Sequence, residues 1–149
     1  MIGGMVRRWV DGPDDLVSWV IGKLPRSAWP FVEQHDDYFV ALGPGGLFAL
    51  HPVSEPPSTP DDRIRSIHSA ARVLSDRLLV ATQDRVWPHS VGVLPVDAGH
   101  AETTEFGISF VPGDHLLRWL LTRPETLDAP TRGLWARYLS GDDAAVGTG

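Results

Sequence analysis

The chain has 149 residues, no cysteine, and a net charge of −6 from 19 acidic and 13 basic residues. That length suits one domain able to bury about two-thirds of its unfolded surface. Without cysteine there are no disulfides or thiolate metal sites, which fits a reducing cytoplasm. The acidic balance supplies no global field for phosphate backbones, although a local patch would still serve.

No run approaches the roughly 18 apolar residues of a membrane span. Arg7 and Arg8 are followed by Asp11, Gly12, Pro13, Asp14 and Asp15, where a signal peptide needs an apolar core. The expectation is a cytoplasmic protein with no membrane partner.

Residues 1–10 carry glycines and two arginines and read as loosely ordered. Asp11 to Asp15 form a helix start, with a turn, a proline and acids suited to the positive helix end. Leu16, Val17, Trp19, Val20, Ile21 and Leu24 then give an apolar face, and Pro25 ends it. Residues 29–32, 38–42 and 47–50 read as three strands. The near-continuous apolar character of the last two predicts burial on both faces. Between them, Gly43, Pro44, Gly45 and Gly46 supply turn chemistry.

After the proline-rich stretch 54–60, Thr59 is a candidate cap with Pro60 at the first helical position. Ile64, Ile67, Ala71, Leu74 and Leu78 follow at helical spacing, with Arg65, Ser69, Arg72 and Asp76 on the other face. Strands are predicted over 90–96 and 106–111, separated by a polar loop at 97–105. A helix is predicted over 112–121 and another over 131–139, with a frayed tail after Gly141. The order predicts an α/β fold, a mixed central sheet of about five strands flanked by helices. It forms one domain over 1–149, its core near 14–140 between flexible ends.

Chemistry-bearing residues gather at the hairpin. Glu33, His35 and Asp37 alternate, so an extended strand would place them on one side. With His51 across the hairpin they offer a mixed metal site, or else a polar strand end facing water. The glycine turn lacks the Gly-Lys-Ser/Thr ending of a phosphate loop and leads into a strand. Arg63, Arg65, Arg72 and Arg77 place positive charge on the long helix, offset by Asp61, Asp62 and Asp76, so a solvated face is the default reading. Of six tryptophans, Trp19, Trp119 and Trp135 read as core, whereas Trp9 and Trp87 are candidate exposed anchors for a partner. There is no HExxH pair and no GxSxG elbow.

The helix closing in Leu24-Pro25, the tryptophan after it and the Gly-Pro-Gly-Gly hairpin follow in a recognisable order. Next come an arginine- and alanine-rich helix, the strand ending Val93-Leu94-Pro95-Val96, and an apolar strand before Leu116-Leu117-Arg118-Trp119-Leu120. Over about 14–139 this resembles the nuclease-related domain (NERD) family of the restriction-endonuclease-like, PD-(D/E)xK-type superfamily.

The resemblance implies a nuclease site on the hairpin. An aspartate opens the first hairpin strand and an acid-x-lysine group ends the second. The carboxylates hold Mg²⁺ that polarises phosphate and activates water, and the lysine supports developing charge. Counted from the turn, the aspartate place falls on Tyr38, with Asp37 one residue away. The second acid place falls on His51, and the lysine place on Val53. The only lysine is Lys23.

Asp37 and His51 are therefore the candidate catalytic residues. Glu33, Asp37, Asp14 and Asp15 are the candidate metal ligands. The reading is a degenerate site with no cofactor, in a non-catalytic binding or scaffold module of a DNA-linked or defence-type system. Its expected partner is a protein, with nucleic acid more weakly supported. The competing readings are a Mg²⁺-dependent nuclease with rearranged carboxylates and an unrelated α/β interaction domain.

Overall fold

The computed structural model describes residues 13–57, 59–96 and 99–141, with side chains from Asp15 onward. The expectations for residues 1–10, for Trp9, for the Asp14 carboxylate and for the tail after Gly141 lie outside these.

Helix α1, Pro13–Lys23, opens on a proline, whose missing N–H costs nothing in a first turn. Its stripe of Leu16, Val17, Val20 and Ile21 is buried. Strands β1 (Phe31–Gln34), β2 (Phe39–Gly43) and β3 (Gly46–Pro52) follow as an antiparallel meander. Helix α2, Asp62–Thr82, carries the chain back so that β4 (His89–Leu94) lies parallel to β3.

Strand β6 (Ile108–Pro112) lies parallel to β4, and β5 (Thr103–Glu105) pairs antiparallel with β6 at the sheet edge. A 3₁₀ turn at Gly113–His115 leads into α3 (Leu116–Leu121), and α4 (Ala129–Ser140) follows. The strand order is β1-β2-β3-β4-β6-β5. Among the described residues the fold is thus α/β, a mixed six-stranded sheet flanked by four helices.

Alternation along the strands divides the core between two faces. Phe39, Ala41, Phe48, Leu50, Val91, Val93 and Val111 pack with α1 and α3. Val40, Leu42, Leu47 and Ala49 pack with Leu74 and Leu78 of α2 and Leu139 of α4. Further along that second face, Val53, Leu94, Ile108 and Phe110 meet Ile64 and Ile67. Every residue of β2 is buried and so is β3 up to Pro52, as their continuous apolar runs require.

Four expectations are corrected in detail. The sixth strand, β5, comes from the stretch read as a polar loop: Phe106 (φ 56) and Gly107 (φ 75) both take positive φ, the two-residue hairpin geometry that pairs Glu105 with Ile108. The cap of α2 is Asp61, not Thr59, because its carboxylate accepts from Ile64 N at 3.0 Å. The helix predicted over 112–121 begins as a 3₁₀ turn. Of the three tryptophans read as core, Trp119 is buried, while Trp19 and Trp135 are half-buried, each at the edge of the core on its own face of the sheet.

The glycine-rich turn is a packed connection. Pro44 and Gly45 lie between paired Gly43 and Gly46. The Pro44 carbonyl accepts from Thr126 N (2.8 Å) and Leu127 N (3.1 Å), pinning the hairpin tip to the segment before α4. A Cβ added at Gly43 would fall inside the Trp29 ring. Glycine there lets the indole lie against the strand, 2% exposed.

Candidate functional site

Strand β1 stops at Gln34 because the chain turns at once. His35 N donates to Tyr38 O at 2.8 Å, leaving Asp36 and Asp37 at the tip. The alternation of Glu33, His35 and Asp37 therefore does not continue in one strand. Asp37 sits on the turn with its side chain 56% exposed, and its carboxylate lies 3.9 Å from Arg63 Nη1.

Glu33 pairs with Val40 and so faces α2 and α4. One of its carboxylate oxygens is 2.6 Å from His35 Nε2 and 3.0 Å from Arg77 Nη1. Burial pulls this carboxyl's pKa up, but the hydrogen bonds from Arg77 and His35 outweigh it and leave the value below the ordinary one. Arg77 also donates to the Leu139 carbonyl, so one guanidinium ties β1, α2 and α4. Arg77→Ala is expected to cost about 1–2 kcal/mol, the range for a part-buried hydrogen bond to a charged group. Urea unfolding at pH 7 measures it; a change below about 0.3 kcal/mol would reduce the tie to a solvent-equivalent contact.

His51 continues the alternation of Leu47 and Ala49, so it points beneath α2. It is 1% exposed. Among the described residues neither ring nitrogen has a hydrogen-bond partner. Its ring stacks on Tyr38 at 5.0 Å, and Tyr38 stacks on His35 at 4.4 Å, giving a column of three rings. Burial, with help from the Arg63 charge and against the pull of Asp37, lowers the His51 pKa to about 4. It is neutral at pH 7. Burial and the Glu33 charge raise the Tyr38 phenol above its ordinary value, so it keeps its proton. Val53 is buried in the apolar cluster beneath the first turns of α2.

The structure thus brings Glu33, His35, Asp37, Tyr38 and His51 to one side of the hairpin, but not as a ligand set. Among the described residues, no three His, Asp or Glu side chains are grouped to hold a metal ion. Asp15 is exposed at the start of α1. That helix packs on the opposite face of the sheet, so Asp15 does not converge with the others.

Two of the helix arginines turn inward, Arg63 to the Pro52 carbonyl (2.6 Å) and Arg77 to Glu33, which leaves less free positive charge on that face than the sequence offers. Sequence reasoning missed both roles. Their spacing of 14 along α2 is close to four helical turns, which places them on one side of the helix. Trp87 is exposed, with the Arg85 guanidinium 5.4 Å from its ring.

A three-layer α/β domain with a stacked-ring column at its hairpin is the class that fold and site define. Compared with known proteins, the chain matches no family model, no curated protein and no solved structure.

Proposed function

We propose that this domain is a non-catalytic binding or scaffold module built on a nuclease-related frame whose metal centre has been replaced by a stack of rings. The observation that carries the reading is the Tyr38–His51 pair. The resemblance assigns carboxylates to these two positions, and they hold rings stacked at 5.0 Å.

An aromatic phenol that keeps its proton and a neutral, buried imidazole do not reproduce the two charged oxygen donors that Mg²⁺ takes up. The lysine place holds an apolar residue, and Glu33 is engaged by Arg77. The order of helix, three-strand meander, long helix and parallel strand supports the nuclease-related frame. The acidic net charge and the inward turn of two arginines favour a protein partner over nucleic acid. The absence of cysteine is consistent with a cytoplasmic setting.

The test is a cleavage assay on single- and double-stranded DNA and RNA with Mg²⁺ or Mn²⁺, paired with thermal unfolding in the same metals. The expected result is no cleavage and no metal-dependent change in Tm. Metal-dependent cutting that disappears in Asp37→Ala would overturn the reading and place a rearranged nuclease at the hairpin turn.

A further inference from the structure

The opposite face of the sheet carries a second constellation, independent of the hairpin and of the reading given to it. Arg123 follows α3, and its Nε donates to the Trp119 carbonyl at 3.0 Å. Its guanidinium lies over the Trp119 indole, 4.4 Å from the centroid. These two restraints fix the fork in place. Among the described residues no carboxylate reaches ion-pair distance of it, and neither terminal nitrogen has a partner.

Arg123 and Trp119 line a cleft of about 360 Å³ whose floor is the β5–β6 hairpin. Thr104 pairs with Ser109, and Ser109 shares its face with Val111, which packs on the α1 and α3 side. The two hydroxyls therefore point to the same side of the sheet as Trp119. They line the cleft with Arg123, and no protein group among the described residues hydrogen-bonds to them.

A guanidinium held on an aromatic face, with two free N–H pairs in one cleft with hydroxyl donors, is a set that recognises planar or tetrahedral oxyanions. Because the fork is already ordered, little side-chain entropy remains to be lost on binding. Glu102 stands in the same cleft, 3.4 Å from His115. That carboxylate and the net charge of −6 oppose extended polyanions and leave room for a small one.

We propose that this cleft binds a small oxyanion, a carboxylate or phosphate-type group, on Arg123 with Thr104 and Ser109. The experiment is an NMR titration of ¹⁵N-labelled protein with inorganic phosphate and, separately, acetate, against sodium chloride at matched ionic strength. Saturable shifts are expected at the Arg123 Nε–H, the Trp119 indole N–H and the amides of Thr104 and Ser109.

Tighter binding of phosphate points to a phosphorylated ligand, and equal or tighter binding of acetate to a carboxylate. Arg123→Gln is expected to weaken binding about tenfold or more. Arg123→Lys keeps stem and charge but loses the fork, and should weaken it similarly. Shifts no larger than those in chloride, or Arg123→Lys protein that binds as well as wild type, would overturn the proposal. The lysine variant retains the packing of the aliphatic stem, so it decides the matter even where the glutamine variant unfolds.

Discussion

His51→Phe is expected to give a protein more stable than wild type, by a margin that grows as the pH falls. The sign follows from where the proton goes. His51 has a pKa of about 4 in the folded chain against 6.5 as the ordinary value, so between these values the unfolded chain binds a proton that the folded one rejects. Stability is complete above about pH 6.5 and is lost as the pH falls toward 4, and the difference at pH 4 comes to about 3 kcal/mol.

Two influences oppose each other there: burial and Arg63 of α2 lower the value, and Asp37 of the turn raises it. Phenylalanine keeps a ring for Tyr38 to stack on and removes two buried nitrogens that lack protein partners. About 1 kcal/mol of gain is expected even at pH 8. His89, whose pKa is also lowered by burial and by Arg123, contributes a slope common to both proteins, so the difference between them isolates His51. Urea unfolding at half-unit steps from pH 4 to 8 measures it. Parallel curves for the two proteins would mean that His51 finds a partner for its proton and is not the neutral, unpartnered imidazole described above.

How much of this was legible in the chain depends on whether a signal was local. The β2–β3 hairpin was, because unbroken apolar runs flank a Gly-Pro-Gly-Gly turn. So was α2, whose five predicted apolar positions are all buried. Strand β5 was not: Thr103, Thr104 and Glu105 are all exposed, so no alternation marks them, and only the Phe106–Gly107 turn and the waiting edge of β6 make them a strand.

That Glu33, His35 and Asp37 do not share one extended strand was readable locally, since Asp36 and Asp37 are themselves turn residues. The Glu33–Arg77 tie was not, because it joins residues 44 apart in sequence. The cap of α2 was ambiguous locally, with Thr59, Asp61 and Asp62 all able to serve, and the fold selects the one whose backbone is extended just before the helix. At the hairpin, counting from the turn placed Tyr38 and His51 opposite each other, and the structure stacks them. What counting could not supply was that Asp37, one residue away, is carried out to the exposed tip and not across the strand.

Placing charged residues back at the counted positions shows whether those positions have the geometry of a metal centre. Tyr38→Asp, His51→Glu and Val53→Lys together introduce the residue types that the proposed nuclease-related reading assigns to these three places. Without metal the triple variant is expected to lose more than about 4 kcal/mol, because it desolvates charges beneath α2 and sets two carboxylates against each other. Arg63, close enough to lower the His51 pKa, relieves part of that repulsion and competes with a metal for the same oxygens.

Mn²⁺ at a hundred times its dissociation constant would return about 2.7 kcal/mol. The variant should therefore show a Tm that climbs with Mn²⁺ while the wild-type value stays flat. That contrast would mean the two ring positions are placed as a metal centre requires, and that side-chain replacement alone emptied it. A folded variant indifferent to Mn²⁺ would mean that the hairpin never had the geometry of such a centre. The third reading, an α/β interaction domain unrelated to nucleases, would then account better for the chain. Cleavage is the stricter readout, since it also needs the lysine to approach the attacking water from a position that Val53 now holds within the apolar cluster.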